Sequence, residues 1–140
     1  MNRIKKIFLN VICTLLIISS AVFAADDTDI LSAAAVNTAT GKTAARLLKG
    51  SYSMQVGVKN NTDKEQNLLL IITKLSNGVC RKVIMGTSEK IGAFGEGKIT
   101  AECDAENGID TIKCIVVSSE DGTMFPITSA VKNFTKRGWN

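Results

Sequence analysis

Hydrophobic and polar residues alternate with a period of two along much of this chain. The clearest stretch is Tyr52-Ser-Met54-Gln-Val56-Gly-Val58-Lys59, with apolar side chains at every second position. Successive side chains of a strand point to opposite faces, so the pattern predicts a half-buried strand. Asn60 to Lys64 supplies turn chemistry. Leu68 to Leu75 is almost continuously apolar, as expected of a central strand covered on both faces. Asn77-Gly78 is a hairpin signal leading into a weaker strand, Val79 to Met85. Lys98 to Cys103 alternates again, Asn107-Gly108 punctuates, and Thr111 to Ser118 reads as a strong strand. Asp121-Gly122 turns the chain into Met124 to Val131, read as the last strand. Ile30 to Val36 reads as the first strand, although its alanines also suit a helix. Thr43 to Gly50 reads as loop with at most a short turn. Strands at this spacing, separated by turns, predict an all-β fold: an antiparallel β-sandwich of about seven strands.

The first 24 residues break this pattern. Arg3, Lys5 and Lys6 precede an apolar run from Ile7 to Ile18, and small residues follow up to Ala24. This is the layout of a secretory signal peptide, with cleavage expected after Ala24 and the sandwich domain spanning 25–140. The competing reading is a retained anchor, because Ile7–Ala24 reaches the lower edge of a membrane-spanning length. Cys13 lies inside the apolar run behind Ile12, which does not fit a lipoprotein site. Export places the protein outside the cytoplasm: secreted, periplasmic or at the cell surface.

Removing the segment changes the charge picture. The 140-residue chain carries 17 Lys and Arg against 13 Asp and Glu, a net +4. Three of the cations belong to the leader, so the remainder is close to neutral. Such a surface offers no broad field for nucleic acid or for an anionic membrane. The sequence contains no histidine, which excludes a Ser-His-Asp triad, a Cys-His pair and imidazole-bound zinc.

The run from Ile30 to Ile127 resembles the fibronectin-type-III-like or immunoglobulin-like β-sandwich modules of bacterial, especially clostridial, secreted and surface proteins. The resemblance rests on Tyr52 to Asn67, the apolar strand with Asn77-Gly78, Asp110 to Ser118, and the closing Gly122-Thr-Met-Phe-Pro-Ile127. Such modules often carry a Trp-Asp pair in the penultimate strand. Val117-Ser118 stands there in this chain, so a partner contact through that Trp is not implied. The resemblance implies a non-catalytic binding or structural module at the cell surface or envelope, meeting a protein or a polysaccharide, with no cofactor. Three segments, Asn37 to Gly41, Gly92 to Gly97 and Arg137 to Trp139, are similar to the binding loops of chagasin-like protease inhibitors. A small secreted inhibitor is therefore the alternative.

Individual residues add candidates. By alternation Cys103 and Cys114 both point inward, either as a disulfide worth about 3 kcal/mol or as buried free thiols. Cys80 stands beside Arg81 and Lys82, but a catalytic thiol would need a base, and a structural role is expected. Asp104, Glu106 and Asp110 could gather around calcium, but their order does not match an EF-hand loop, and a solvated acidic turn is expected. Ser129-Ala-Val-Lys132 matches a serine–lysine spacing without the accompanying elements of that enzyme class. Gly92 to Gly97 lacks the Lys-Ser/Thr of a phosphate loop. The tail presents Phe134, Lys136, Arg137 and Trp139 as a candidate partner contact; alternatively the two aromatics fold back onto the sandwich. The oligomeric state is left open by the sequence.

Overall fold

The computed structural model describes residues 27–126 and 131–140. The signal segment, Cys13 and Ser129 lie outside them. The described residues form ten strands and no helix: β1 (Thr28–Asn37), β2 (Gly50–Asn60), β3 (Gln66–Ser76), β4 (Val79–Met85), β5 (Glu89–Ile91), β6 (Glu96–Ala105), β7 (Thr111–Glu120), β8 (Thr123–Pro126), β9 (Lys132–Thr135) and β10 (Gly138–Trp139). All pairings are antiparallel. The strands beyond the expected seven are short pieces: β5, β8, β9 and β10 have four residues or fewer.

A smaller sheet runs β1-β2-β6. A larger one runs β10-β9-β7-β3-β4, with β5 also on β3 and β8 also on β7. The chain crosses between layers from β2 to β3, from β5 to β6 and from β6 to β7. This is the strand order of an immunoglobulin-like sandwich. The expected last strand, Met124 to Val131, is described as far as β8, which pairs with the end of β7; a further strand beyond it, β9, pairs with the beginning of β7.

The core lies between the sheets. Tyr52, Met54, Val56 and Val58 from β2, with Ile99, Ala101 and Cys103 from β6, face Leu68, Leu70 and Ile72 from β3 and Ile112, Cys114 and Val116 from β7. The period-two stretches thus bury one parity of residues, as alternation dictates. Two hairpins turn as their sequences require. Asn77 (φ 50°) with Gly78 (76°), and Asp121 (49°) with Gly122 (76°), occupy consecutive left-handed positions, the geometry of a type I′ turn.

One end is closed by the long β1–β2 connection. The Leu47 amide donates to the Thr135 carbonyl at 2.8 Å, tying that connection to the opposite sheet. The Tyr52 hydroxyl donates to the Leu48 carbonyl at 2.8 Å and accepts from the Leu48 amide at 3.1 Å. A tyrosine reaching back to backbone just upstream thus pins the start of β2 to the connection before it.

Candidate functional site

Strand β3 is apolar at both parities, and the residues the core does not use form a second surface. Leu69, Ile71 and Thr73 lie opposite Val117, Ile115 and Lys113 of β7. Ile71 and Thr73 also lie opposite Met85 and Val83 of β4. Directly paired residues share a face, so all of these point away from the smaller sheet. Leu69, Ile71, Ile115 and Val117 form an apolar cluster of their own, separate from the core, with Val83, Met124 and Val131 packed against it. The four are only 3–7 % exposed, whereas Met85 at the rim is 53 % exposed. Thr73 is 2 % exposed, and its Oγ1 has no hydrogen-bond partner among the described residues. Every described member of this cluster comes from the larger sheet's own strands or from Val131, which leads into β9. The described residues therefore place no further layer over this outer face.

A different kind of surface lies at the end of the sandwich where β2 finishes and β6 begins. Asn60, fully buried, donates through Nδ2 to the carbonyls of Lys64, Ile91 and Gly92. Its Oδ1 accepts from the Thr62 amide and hydroxyl. One side chain thus joins the β2–β3 and β5–β6 loops. Phe94 rides on that frame, 63 % exposed and at φ 56°. A bulky residue in the left-handed region carries backbone strain of about 1–2 kcal/mol, held here by Phe94 donating to the Thr62 carbonyl and Gly95 to the Gly92 carbonyl.

The opposite end gathers the ionisable groups. Lys74 points inward from β3 and donates to Glu106 Oε1 at 2.5 Å and to the Asp104 carbonyl at 2.8 Å. This bond from Lys74, followed by one from its own backbone, holds Glu106 below the usual carboxylate range. Asp110 accepts from the Asn77 amide at 2.7 Å and the Thr111 hydroxyl at 2.9 Å, and these bonds lower its pKa too. Asp104 accepts from the Ser51 hydroxyl. Each of the three carboxylates is thus engaged by its own partner, and no set of three metal-ligating side chains converges among the described residues. An open depression lined by Thr38, Ser51, Tyr52, Glu102, Cys103 and Asp104 lies on this side. Its one thiol is unsuited to attack, because burial pushes Cys103 up to about 11.

Several sequence expectations change here. Cys103 and Cys114 point inward as expected, but they are free thiols and form no bridge. They stand on different sheets, β6 and β7, where the core shields both. Burial raises Cys114 to about 12. Cys80 lies opposite Leu75, which places it on the outer face of the larger sheet. The tail contact divides. Phe134 is fully buried, edge-on to Tyr52 at 5.8 Å and 5.0 Å from the Trp139 ring. The aromatics fold back because β9 pairs with β7, setting Phe134 opposite Ile112 in the core. Only Lys136 and Arg137 remain exposed, in the β9–β10 turn.

The three inhibitor-like segments do not meet. Residues 37–41 follow Asn37, which pairs with Tyr52 at the start of β2. Residues 137–139 pair back on β9 beside Thr111. Both lie at the end that Leu47 closes, whereas residues 92–97 lie at the far end, around Asn60. Sequence reading did not single out Asn60, Lys74 or Phe94. A lysine within an apolar strand was the one available signal for Lys74.

No protein-family model matches the chain, and no curated protein matches it in sequence. Among solved structures, it is similar to Pseudomonas fluorescens alkylpurine DNA glycosylase AlkC bound to DNA containing an abasic site analog. The match has a TM-score of 0.50 at 14 % identity, covering 86 % of this chain and 33 % of the other. The chain thus spans about a third of the structure it matches, and at that identity the likeness concerns the fold alone.

Proposed function

We propose that this protein is an exported, non-catalytic β-sandwich module that binds a protein partner at the bacterial surface or envelope. The observation that carries the reading is the apolar outer face of the larger sheet, centred on Leu69, Ile71, Ile115 and Val117. A sandwich needs only one apolar face per sheet to make its core. The second one, across β4, β3 and β7, is buried at its centre and exposed at Met85 on its rim, and an apolar surface of this kind marks an interaction site where it is exposed. The rim adds Met85, an unbranched side chain that repacks against varied surfaces. Polysaccharide recognition fits this face poorly, since no aromatic platform lies on it among the described residues. The glycosylase likeness adds no nucleic-acid role, because the chain beyond its leader has nearly balanced charge. The inhibitor reading needs three loops acting together, and they lie at opposite ends.

The test is quantitative capture from the native culture's envelope fraction with residues 25–140 and with Met85→Lys, a change at an exposed position. The reading requires recovery of the partner to fall about tenfold, equivalent to 1.4 kcal/mol of binding, with an unchanged melting temperature. Equal recovery by the variant would count against it.

A further inference from the structure

The near-neutral total of the chain hides a local imbalance. Residues 38–49, the β1–β2 connection, carry Lys42, Arg46 and Lys49 and no acidic side chain. Residues 131–140 carry Lys132, Lys136 and Arg137 and again no acidic side chain. The fold brings these two segments together at one end. The Leu47 amide donates to the Thr135 carbonyl at 2.8 Å. A Cβ added to the buried Gly138 would lie 2.9 Å from the Ala45 carbonyl oxygen. Arg46, between those two contacts, therefore stands across from Lys136 and Arg137, between Thr135 and Gly138. All three cations are exposed, and among the described residues none of them makes an ion pair. Carboxylates at this end are committed elsewhere: Asp104 to Ser51, Glu106 to Lys74, and Asp110 to Asn77 and Thr111. The Asn77 and Thr111 bonds outrank the field of Lys136 in lowering the Asp110 pKa.

We infer that this end of the sandwich is a contact for an anionic lipid surface: Arg46, Lys136 and Arg137 take headgroup phosphates, and Leu48 enters the layer beneath them. Clustered cations gather at anionic bilayers, and guanidinium forks pair with phosphate oxygens through two bonds at once. Leu48 decides between a bilayer and a soluble polyanion. It is 56 % exposed, while its backbone carbonyl and amide are both pinned by the Tyr52 hydroxyl, at 2.8 and 3.1 Å. An aliphatic side chain held out beside cations gains by entering the headgroup–acyl boundary and gains nothing from a phosphodiester chain in water. A single-stranded nucleic acid requires open aromatic faces for its bases, whereas Trp139, next to the cations, is packed on Phe134 at 5.0 Å. The presentation is rigid. The Thr135 hydroxyl donates to the Gly138 carbonyl and accepts from the Arg137 amide, both at 3.1 Å. This end is distinct from the outer face of the larger sheet, so contact with lipid leaves that face free for a protein.

Vesicle co-sedimentation tests the inference, using residues 25–140, whose main core lies wholly within the described residues. The vesicles are phosphatidylcholine alone, or phosphatidylcholine with about one-third phosphatidylglycerol. Binding about tenfold stronger to the anionic vesicles is expected, and it should weaken as salt is raised. The double variant Arg46→Gln with Arg137→Gln should bind them about tenfold more weakly, and Leu48→Ser severalfold more weakly. Melting temperatures should stay unchanged, because all three positions are exposed. Arg81→Gln with Lys82→Gln, an equal charge change at exposed positions of β4, should bind as the wild type does. Equal binding to the two kinds of vesicle, or equal losses for the two double variants, would overturn the inference. An unchanged Leu48→Ser overturns it too, and displacement by soluble polyphosphate then assigns the site to a polyanion. Capture with Met85→Lys probes a different surface, so either result can fail without the other.

Discussion

Lys74 reaches Glu106 from inside the sandwich: its side chain is 3 % exposed, while that of Glu106 is 58 % exposed. The ammonium sits at the mouth of the core and clamps the β6–β7 loop from within, its aliphatic stem packed below. Glu106→Gln is expected to cost about 1 kcal/mol or less, because solvent screens the exposed carboxylate. Lys74→Ala is expected to cost about 2 kcal/mol, since it also removes the buried stem. Glu106 has a folded pKa below its ordinary 4.5. Its contribution is therefore present above that ordinary value and lost as pH falls through the lowered one. Urea titrations across the acid range should show a shallower acid loss for Glu106→Gln than for the wild type.

The two core thiols set the alkaline limit. Burial lifts Cys103 from 9.0 to about 11 and Cys114 from 9.0 to about 12. The unfolded chain ionises first, so stability is retained below pH 9 and declines as pH rises towards the folded values. Replacing both with alanine should flatten that decline. At pH 8, mass spectrometry after alkylation should find both thiols unmodified in the native protein and modified in denaturant.

The β4–β5 connection passes close against β6 at Gly86. A Cβ built there would overlap the Thr100 carbonyl oxygen and lie 2.9 Å from Ala101 Cβ. Gly86→Ala is expected to cost about 1–3 kcal/mol by overpacking, read as a shifted urea midpoint with an unchanged slope.

Tyr52 ties β2 to the connection before it through both Leu48 backbone groups. Tyr52→Phe retains the ring contact with Phe134 but leaves those groups without the hydroxyl. A loss of about 1–3 kcal/mol is expected, measured by thermal or urea unfolding.

Phe94 separates strain from recognition. Phe94→Gly removes the left-handed penalty and should leave stability equal or up to about 1 kcal/mol higher, while Phe94→Val should lower it. Thermal melts of the two variants check the sign.

The fold was legible where alternation was clean. Tyr52 to Val58 buries one parity, Ile112, Cys114 and Val116 face the core as alternation implies, and Asn77-Gly78 and Asp121-Gly122 turn as read. The short strand β9, beyond the expected last strand, was not legible, because its pairing on the edge of β7 follows from register and not from local pattern. The thiol pair illustrates the same limit. Parity pointed Cys103 and Cys114 inward, but nothing local showed that they stand on different sheets. The binding face was half visible: the run from Leu68 to Leu75 announced two covered faces without saying what covers the second. Phe94 left no signal, since a loop phenylalanine next to glycine looks the same whether strained or relaxed.

The most direct measurement is oxidative footprinting of residues 25–140, alone and with the partner-containing envelope fraction. If the outer face of the larger sheet is the binding surface, Met85 and Met124 become protected while Phe94 and Phe125 keep their reactivity. Protection at Phe94 with Met85 and Met124 unchanged would contradict the account and move recognition to the loop end.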